Sequence, residues 1–466
     1  MRYAVSALLL VAAFARAADR PNVLIAIADD MSWPHAGCYG DPVVKTPHFD
    51  RVAREGMLFS HAFCVSPSCT PSRAALLTGQ TIHRLDEGGN LWSFLPKRFA
   101  VYPDLLEQAG YAVGLTGKGW GPGDFTAGGR TRNPAGPTFP SFEKFLATVP
   151  ADKPFCYFFG STRPHRPYEL GCGLKVGLSP DKVSVPPFWP DTPAVRSDIL
   201  DYYANVQMFD NQLGTILDLL DKSGQAANTL LIVTSDNGWP FPRAKANLYD
   251  AGTRMPLAIR WPGRVKPGSK SDRFINHADH APTILEAVGL KPLPEMTGKS
   301  YLAQLNGREF TEAHRVYVER ERHANVRKGD LSYPARAVRT RQFLYIRNLR
   351  PERWPGGDPE KHVAVGPFGD CDAGPTKEAV LADRTSRFFD LCFAKRPAEE
   401  LYDVSVDPHQ IVNLVGRPEY AKPLAGLRAD LDRWQRDTGD PADDRWDKFP
   451  YFGDRPNPGK SKSKSK

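Results

Sequence analysis

Two pairs of side chains stand close behind apolar runs. Asp29-Asp30 follows the run 22–28 (NVLIAIA), and Asp236-Asn237 follows the run 230–233. Three carboxylates and an amide offer only hard oxygen ligands, which suit Ca²⁺ or Mg²⁺ better than zinc, whose usual partners are His and Cys. Buried together without a cation they would repel one another. One aspartate after a strand is ordinarily a turn or a helix cap. Two such pairs point to a metal. A third feature is Cys69-Thr70-Pro71-Ser72-Arg73, leading into the helical-looking Ala74-Ala75-Leu76-Leu77-Thr78-Gly79. A cysteine opening a helix is expected to have its pKa lowered by the helix dipole, which gives a reactive thiol. The competing reading is a buried structural cysteine. Two further apolar runs, 112–115 and 155–159, are followed by Thr116-Gly117-Lys118 and by Ser161-Thr162-Arg163-Pro164-His165.

These groups lie far apart in the chain, so the fold must bring them together. The runs at 22–28, 112–115, 155–159, 230–233 and 257–259 predict strands buried on both faces. Helical patterns lie between them at 103–108, 198–221 and 281–288, each stopped by a glycine (Gly110, Gly224, Gly289). In the second, Met208, Leu213, Ile216, Leu217 and Leu220 recur at helical spacing. Strands alternating with helices predict an α/β fold, a large mostly parallel sheet sandwiched by helices. Ligands of such sheets bind in the crevice at the carboxyl ends of the strands, and the chemical groups named above follow those ends.

Past about Gly307 the pattern shortens, with alternating pieces at 315–319 and 343–346 and Pro- and Gly-rich loops at 350–359 and 366–375. An amphipathic helix is predicted at 418–434. This predicts a smaller C-terminal α+β subdomain. The expected organisation is a signal peptide at 1–17, a catalytic domain at 18–310, the subdomain at 311–452 and a basic disordered tail at 453–466.

The signal peptide is read from Arg2, the apolar stretch 4–14 and Ala15-Arg16-Ala17, and it implies export to a periplasm or the outside. No internal run is long enough to span a bilayer. Export permits disulfides, but seven cysteines leave at least one outside any pairing, and no CxxC pair suggests a zinc ribbon or a thioredoxin-like site. The net charge of +8 includes four lysines of the tail. A positive balance with no nucleic-acid-binding module favours an acidic polysaccharide over nucleic acid as partner.

Cys69-Thr70-Pro71-Ser72-Arg73 resembles the signature of the sulfatase family. The resemblance extends to Pro21-Asn22-Val23-Leu24 before Asp29-Asp30, to Thr46-Pro47-His48 and to Thr234-Ser235-Asp236-Asn237-Gly238. It continues through Leu248-Tyr249-Asp250-Ala251-Gly252-Thr253-Arg254-Met255-Pro256, Glu400-Leu401-Tyr402-Asp403, Asp407-Pro408 and Asn413-Leu414. Within the family, Asn237-Gly238-Trp239-Pro240-Phe241-Pro242, Asn247-Leu248-Tyr249, Trp434-Gln435 and Asp440-Pro441 are most similar to the heparan N-sulfatases.

The resemblance implies an alkaline-phosphatase-like fold and one Ca²⁺ held by Asp29, Asp30, Cys69, Asp236 and Asn237. It implies that a formylglycine-generating maturation enzyme oxidises Cys69 to formylglycine (3-oxoalanine). One hydroxyl of the aldehyde hydrate would attack sulfur, and the other would then release sulfate as the aldehyde re-forms. Arg73 would stabilise the hydrate, Lys118 and Lys245 would bind the sulfate, and His165 would contact sulfate or protonate the leaving group. His83 is expected to line the same pocket. The implied substrate is a sulfated saccharide, with the N-sulfate of glucosamine in heparan-type glycans foremost.

Two departures bear on that substrate. The family pattern Gly-Lys-x-His reads Gly117-Lys118-Gly119-Trp120 here, and Arg163 stands where sulfamidases usually carry Asp. Trp120 cannot transfer a proton, so the demand on His165 rises, and Arg163 becomes a candidate to bind a carboxylate or second sulfate. Trp92, Trp120 and Trp239 are read as sugar platforms or as packing. The alternatives are an O-sulfatase on another glycan or aryl sulfate, a related phosphoester hydrolase, and a catalytically silent sulfated-polysaccharide-binding protein.

Overall fold

A computed structural model describes residues 20–308, 314–360 and 366–450. The expected signal peptide, domain boundary at residue 310 and basic tail lie outside the described residues. Seven strands, β1 (Asn22–Ala28), β2 (Met57–Phe63), β3 (Ala112–Gly117), β4 (Phe155–Gly160), β5 (Thr229–Ser235), β6 (Arg254–Arg260) and β7 (Ser269–Asn276), form one sheet. Their order is β3-β4-β1-β5-β6-β2-β7, and only β6 runs against the rest. The five expected strands are all present.

The central strand shows why the sheet takes two layers of helices. Alternate side chains of a strand face opposite ways. In β1, Leu24, Ala26 and Ala28 pack into one apolar cluster and Val23, Ile25 and Ile27 into another, and none is exposed. The first cluster receives Pro47–Glu55 and the long helix Pro193–Lys222; the second receives Cys69–Thr78, Tyr102–Gln108 and His280–Ala287. The long helix starts five residues before the expected 198 because Thr192 caps it, its side chain accepting from Val195 N at 3.3 Å, and Pro193 opens it. Met208, expected on its apolar face, is 39% exposed. β2 and β7 were not expected; β7 reads Ser-Lys-Ser-Asp-Arg before its apolar end because it is an edge strand with a solvated stretch.

The second sheet is antiparallel, in the order β11-β10-β9-β8, built from β8 (Arg315–Arg320), β9 (Ala335–Thr340), β10 (Phe343–Asn348) and β11 (Glu399–Asp403). One face receives the last helix, Ala421–Thr438, through Leu424, Leu427 and Leu431; the other meets Phe63 and Phe274 of the first sheet's edge and Tyr249 of the loop before β6. The chain between β10 and β11 goes elsewhere. Phe368, Cys371, Val380, Phe389 and Phe393 join the core beneath the first sheet, so this stretch of the expected 311–452 subdomain packs as part of the larger layer. All seven cysteines are free.

Candidate active site

β1 and β5 pair in register from Asn22↔Thr229 to Ala28↔Ser235, so the residues after them emerge side by side. Asp30 takes a left-handed backbone (φ 74), and its amide donates to Asp236 Oδ1 at 3.1 Å. Asn237 Nδ2 donates to Asp30 Oδ1 at 2.6 Å, while its Oδ1, fully buried, has no hydrogen-bond partner. One ligand atom from each of Asp29, Asp30, Cys69 and Asp236 lies within 4.8 Å of the others. Burial works against ionisation of Asp29, but Lys118, His165, Arg73 and Lys245 hold its carboxyl well below the usual range. Burial pushes Asp236 up, with Arg73 pulling against it and Asp29 adding to the push. Crowded carboxylates and an orphaned amide oxygen fit a hard divalent cation.

Cys69 opens the helix Cys69–Thr78 on the other side of this cluster, with Sγ 3.6 Å from Asp29 Oδ1 and 3.9 Å from Asp30 Oδ1. The expectation of a lowered thiol pKa fails here. Burial pushes the thiol well above its ordinary value, and although Lys118 and Lys245 oppose this, Asp236 and Asp29 reinforce it. As a thiol, Cys69 is therefore a poor nucleophile. Arg73, one turn on and fully buried, donates through Nε to Asp236 Oδ2 at 2.7 Å and through Nη1 to the carbonyls of Lys118 (2.6 Å) and Gly119 (3.0 Å). It ties the helix of Cys69 to two strand ends.

Two lysines and a histidine complete the pocket. Lys118 Nζ donates to Asp29 Oδ1 at 2.6 Å and Lys245 Nζ to Asp30 Oδ2 at 2.8 Å. Burial disfavours both charges, yet Asp29 holds Lys118, and Asp30 with Asp372 holds Lys245, above the usual lysine range. His165 Nδ1 lies 2.5 Å from the Arg166 carbonyl, which can only accept, so Nδ1 carries a proton. That leaves Nε2 facing the pocket, 3.7 Å from Asp30 Oδ2.

The Sulfatase family profile matches residues 21–124 and 135–290, more than half of the chain. The chain belongs to the sulfatase family. It is an enzyme, a hydrolase of the sulfuric ester or sulfamate class. A second profile, N-sulphoglucosamine sulphohydrolase, C-terminal, matches residues 238–355. The chain is 33% identical to human N-sulphoglucosamine sulphohydrolase over 93% of each protein. It is 30% identical to an ulvan-active sulfatase of Formosa agariphila, over 91% of this chain and 76% of that one. Two solved structures share the fold. A protein in complex with its substrate D-glucosamine-2-N,6-O-disulfate has a TM-score of 0.65 at 20% identity, covering 91% of this chain and 99% of that one. The phosphonate monoester hydrolase of Agrobacterium radiobacter has a TM-score of 0.67 at 19% identity, covering 90% and 96%.

Not every expected residue of this sulfatase reaches the pocket. His83 is buried in the seam with the second sheet, its Nδ1 2.7 Å from Glu319 Oε2 and its ring edge-on to Trp434, so its contacts hold the two sheets together rather than line the pocket. Arg163 contributes backbone, its carbonyl accepting from Asp29 N at 2.9 Å, while its Nη1 donates to Asn205 on the long helix at 2.7 Å. Trp120 is 3% exposed within the apolar cluster and is packing. Trp239 is likewise buried, among Trp189, Tyr202 and Phe241. Trp92 alone is half-buried and packs beside Cys69, a place from which it could meet a sugar.

Sequence reasoning missed three groups at the rim. Asp372 Oδ2 lies 3.4 Å from Lys245 Nζ. His323, from the loop after β8, places Nδ1 2.8 Å from Ser68 Oγ, and burial lowers its pKa to about 3, so it is neutral. Arg166 pairs with Asp198 through both carboxylate oxygens, each at 2.8 Å. None follows an apolar run. Only Arg166, next to His165, sits where a motif would draw attention.

Proposed function

We propose that this sulfatase hydrolyses sulfate from a sulfated saccharide, foremost the N-sulfate of glucosamine in heparan-type glycans, through a formylglycine formed from Cys69. The observation that carries this reading is the convergence of Asp29, Asp30, Asp236 and the unpartnered Asn237 oxygen on Cys69, flanked by the half-buried Lys118 and the buried Lys245. The buried thiol is held protonated, which supports chemistry by a modified side chain. Formylglycine supplies, as its hydrate, one hydroxyl to attack sulfur and a second to release sulfate. Asp29, Asp30, Asp236 and Asn237 would hold Ca²⁺, which would supply polarisation of a sulfate oxygen.

The remaining work falls to the chain's own groups. Lys118 and Lys245 neutralise the sulfate oxygens as charge develops. Arg73, fixed by three hydrogen bonds, orients the residue at position 69. His165, with Nδ1 already engaged by the Arg166 carbonyl, presents Nε2 and in its doubly protonated form can give that proton to the departing amine. The N-sulfate preference is supported by the human relative at 33% identity and by the matching C-terminal profile. The protein is exported before it acts, as residues 1–17 suggest.

One observation favours a second reading. Arg163 precedes Pro164-His165 where sulfamidases usually carry Asp, a departure that loosens the tie to the N-sulfate and leaves an O-sulfated glycan as the alternative. Sulfate release by the matured, calcium-loaded enzyme from glucosamine N-sulfate and from 6-O-sulfated N-acetylglucosamine separates the two. Release from the first supports the N-sulfatase; release only from the second replaces it with an O-sulfatase.

A further inference from the structure

One charged group at the pocket rim has no part in the reaction described above. Asp372 lies between β10 and the short helix Pro375–Leu381, its side chain 29% exposed and Oδ2 3.4 Å from Lys245 Nζ. Its place is built from below. Asp198, buried on the long helix, binds Arg166 in a two-pronged pair at 2.8 Å. The same carboxylate accepts from Thr376 N at 3.0 Å and Thr376 Oγ1 at 2.7 Å. Lys377 Nζ, also buried, donates to the carbonyls of Phe368 and Cys371 at 3.1 and 2.7 Å. Asp198 thus fixes both walls of the opening, since Arg166 adjoins His165 and Thr376 ends the loop that carries Asp372. A Cβ at Gly374 would lie 2.6 Å from Arg166 Nη1, so the loop sits directly on that guanidinium. Groups held this way keep their geometry when substrate arrives.

Burial opposes its charge, yet Lys245 first, then His165 and Arg166, hold the Asp372 carboxyl below the usual range. An ionised carboxylate accepts hydrogen bonds and cannot donate. It also repels the sulfate that Lys245 attracts, so it has no use inside the sulfate pocket. What it can meet is the part of the substrate beside the sulfate.

We propose that Asp372 is a specificity-determining residue that accepts a hydrogen bond from the sugar hydroxyl flanking the scissile group and turns away sugars carrying a second sulfate or carboxylate there. The proposal rests on the saccharide reading above. In glucosamine N-sulfate the flanking hydroxyl is the one on carbon 3, carbon 1 being the glycosidic position.

The test compares the matured, calcium-loaded full chain with D372N and D372A on three substrates: the methyl glycoside of glucosamine N-sulfate, its 3-O-sulfated form, and 4-methylumbelliferyl sulfate, which has no hydroxyl to read. Melting curves of both variants check folding. The expected result is a loss in kcat/KM on the monosulfated sugar of about ten- to a hundredfold, the range for a hydrogen bond to a charged group. Hydrolysis of the aryl sulfate stays within about threefold of wild type, and the 3-O-sulfated sugar gains on the monosulfated one. Equal losses on sugar and aryl sulfate would overturn the proposal and assign Asp372 to holding Lys245. Unchanged sugar kinetics would overturn it as well. Should the wild type prefer an O-sulfated sugar, the N-sulfate reading falls alone, and the same comparison on that sugar and its own flanking position decides on Asp372. A wild type that hydrolyses only the aryl sulfate removes both.

Discussion

The pocket has a floor and a rim, and they are built by different means. Asp29, Asp30, Asp236 and Asn237 follow β1 and β5, strands buried on both faces and paired residue by residue. Their positions follow from the sheet, and Arg73 locks the helix of Cys69 onto them. Asp372, His323 and Arg166 sit in loops that no sheet fixes. They are placed by buried ion pairs, Asp198 with Arg166 and Asp370 with Arg320 (2.5 Å) and Arg327 (2.6 Å). On the reading proposed above, the difference is a division of labour, with the reaction on the scaffold and the choice of substrate on the loops. A fold can keep the first while it changes the second.

The comparison is broken most directly at the floor. Replacing Cys69 by Ala is expected to cut sulfate release by roughly 10⁴-fold or more, the scale for loss of a nucleophile, with the melting temperature little changed. A C69A protein that retains turnover would move the chemistry elsewhere. The rim is tested next through its supports. Asp370→Asn leaves Arg320 and Arg327 buried beside a neutral group, and urea denaturation should show a loss of about 3–5 kcal/mol. A loss under about 1 kcal/mol would mean that the loops are held by packing instead.

A smaller effect sharpens the account of the cation. Calcium at a hundred times its dissociation constant should stabilise the wild type by about 2.7 kcal/mol, and Asp236→Asn should abolish that gain, as differential scanning calorimetry can read without any assay of activity. A comparable effect belongs to the scaffold beneath both regions. Asp210, on the long helix, accepts from the amides of His48 (3.1 Å) and Phe49 (2.8 Å), and burial raises its carboxyl from 3.8 to about 6. Between those values the folded chain binds a proton that the unfolded chain has lost, so this group lowers stability as pH rises from about 4 to 6 and has no further effect above. Asp210→Asn should remove that slope, on the order of 3 kcal/mol. A slope unchanged in the variant would assign the titration to another group.

What could be read in the sequence follows the same line. Asp29, Asp30 and Asp236 were legible because apolar runs announce buried strands and the ends of parallel strands share one edge. β7 was not, because an edge strand keeps polar side chains on its solvated side. Lys245 was found only by resemblance, since it follows no strand. His83 misled because a histidine after a helix can equally serve a seam, and Glu319 takes it there. The thiol of Cys69 misled in its electrostatics. A helix dipole is worth a fraction of a charge, whereas full burial beside carboxylates costs the thiolate far more, and burial cannot be seen from Cys69 and its neighbours in the chain. Asp372 was invisible because its partners, Lys245 and the groups that hold its loop, are more than a hundred residues away or bound through backbone carbonyls.

The central claim is that the nucleophile is made from Cys69, and the mass of the peptide containing it tests this most directly. After expression with a maturation enzyme and purification of the active protein, the account predicts an aldehyde in place of the thiol, with sulfate release rising in proportion to the converted fraction. An intact thiol in a fully active preparation would contradict it.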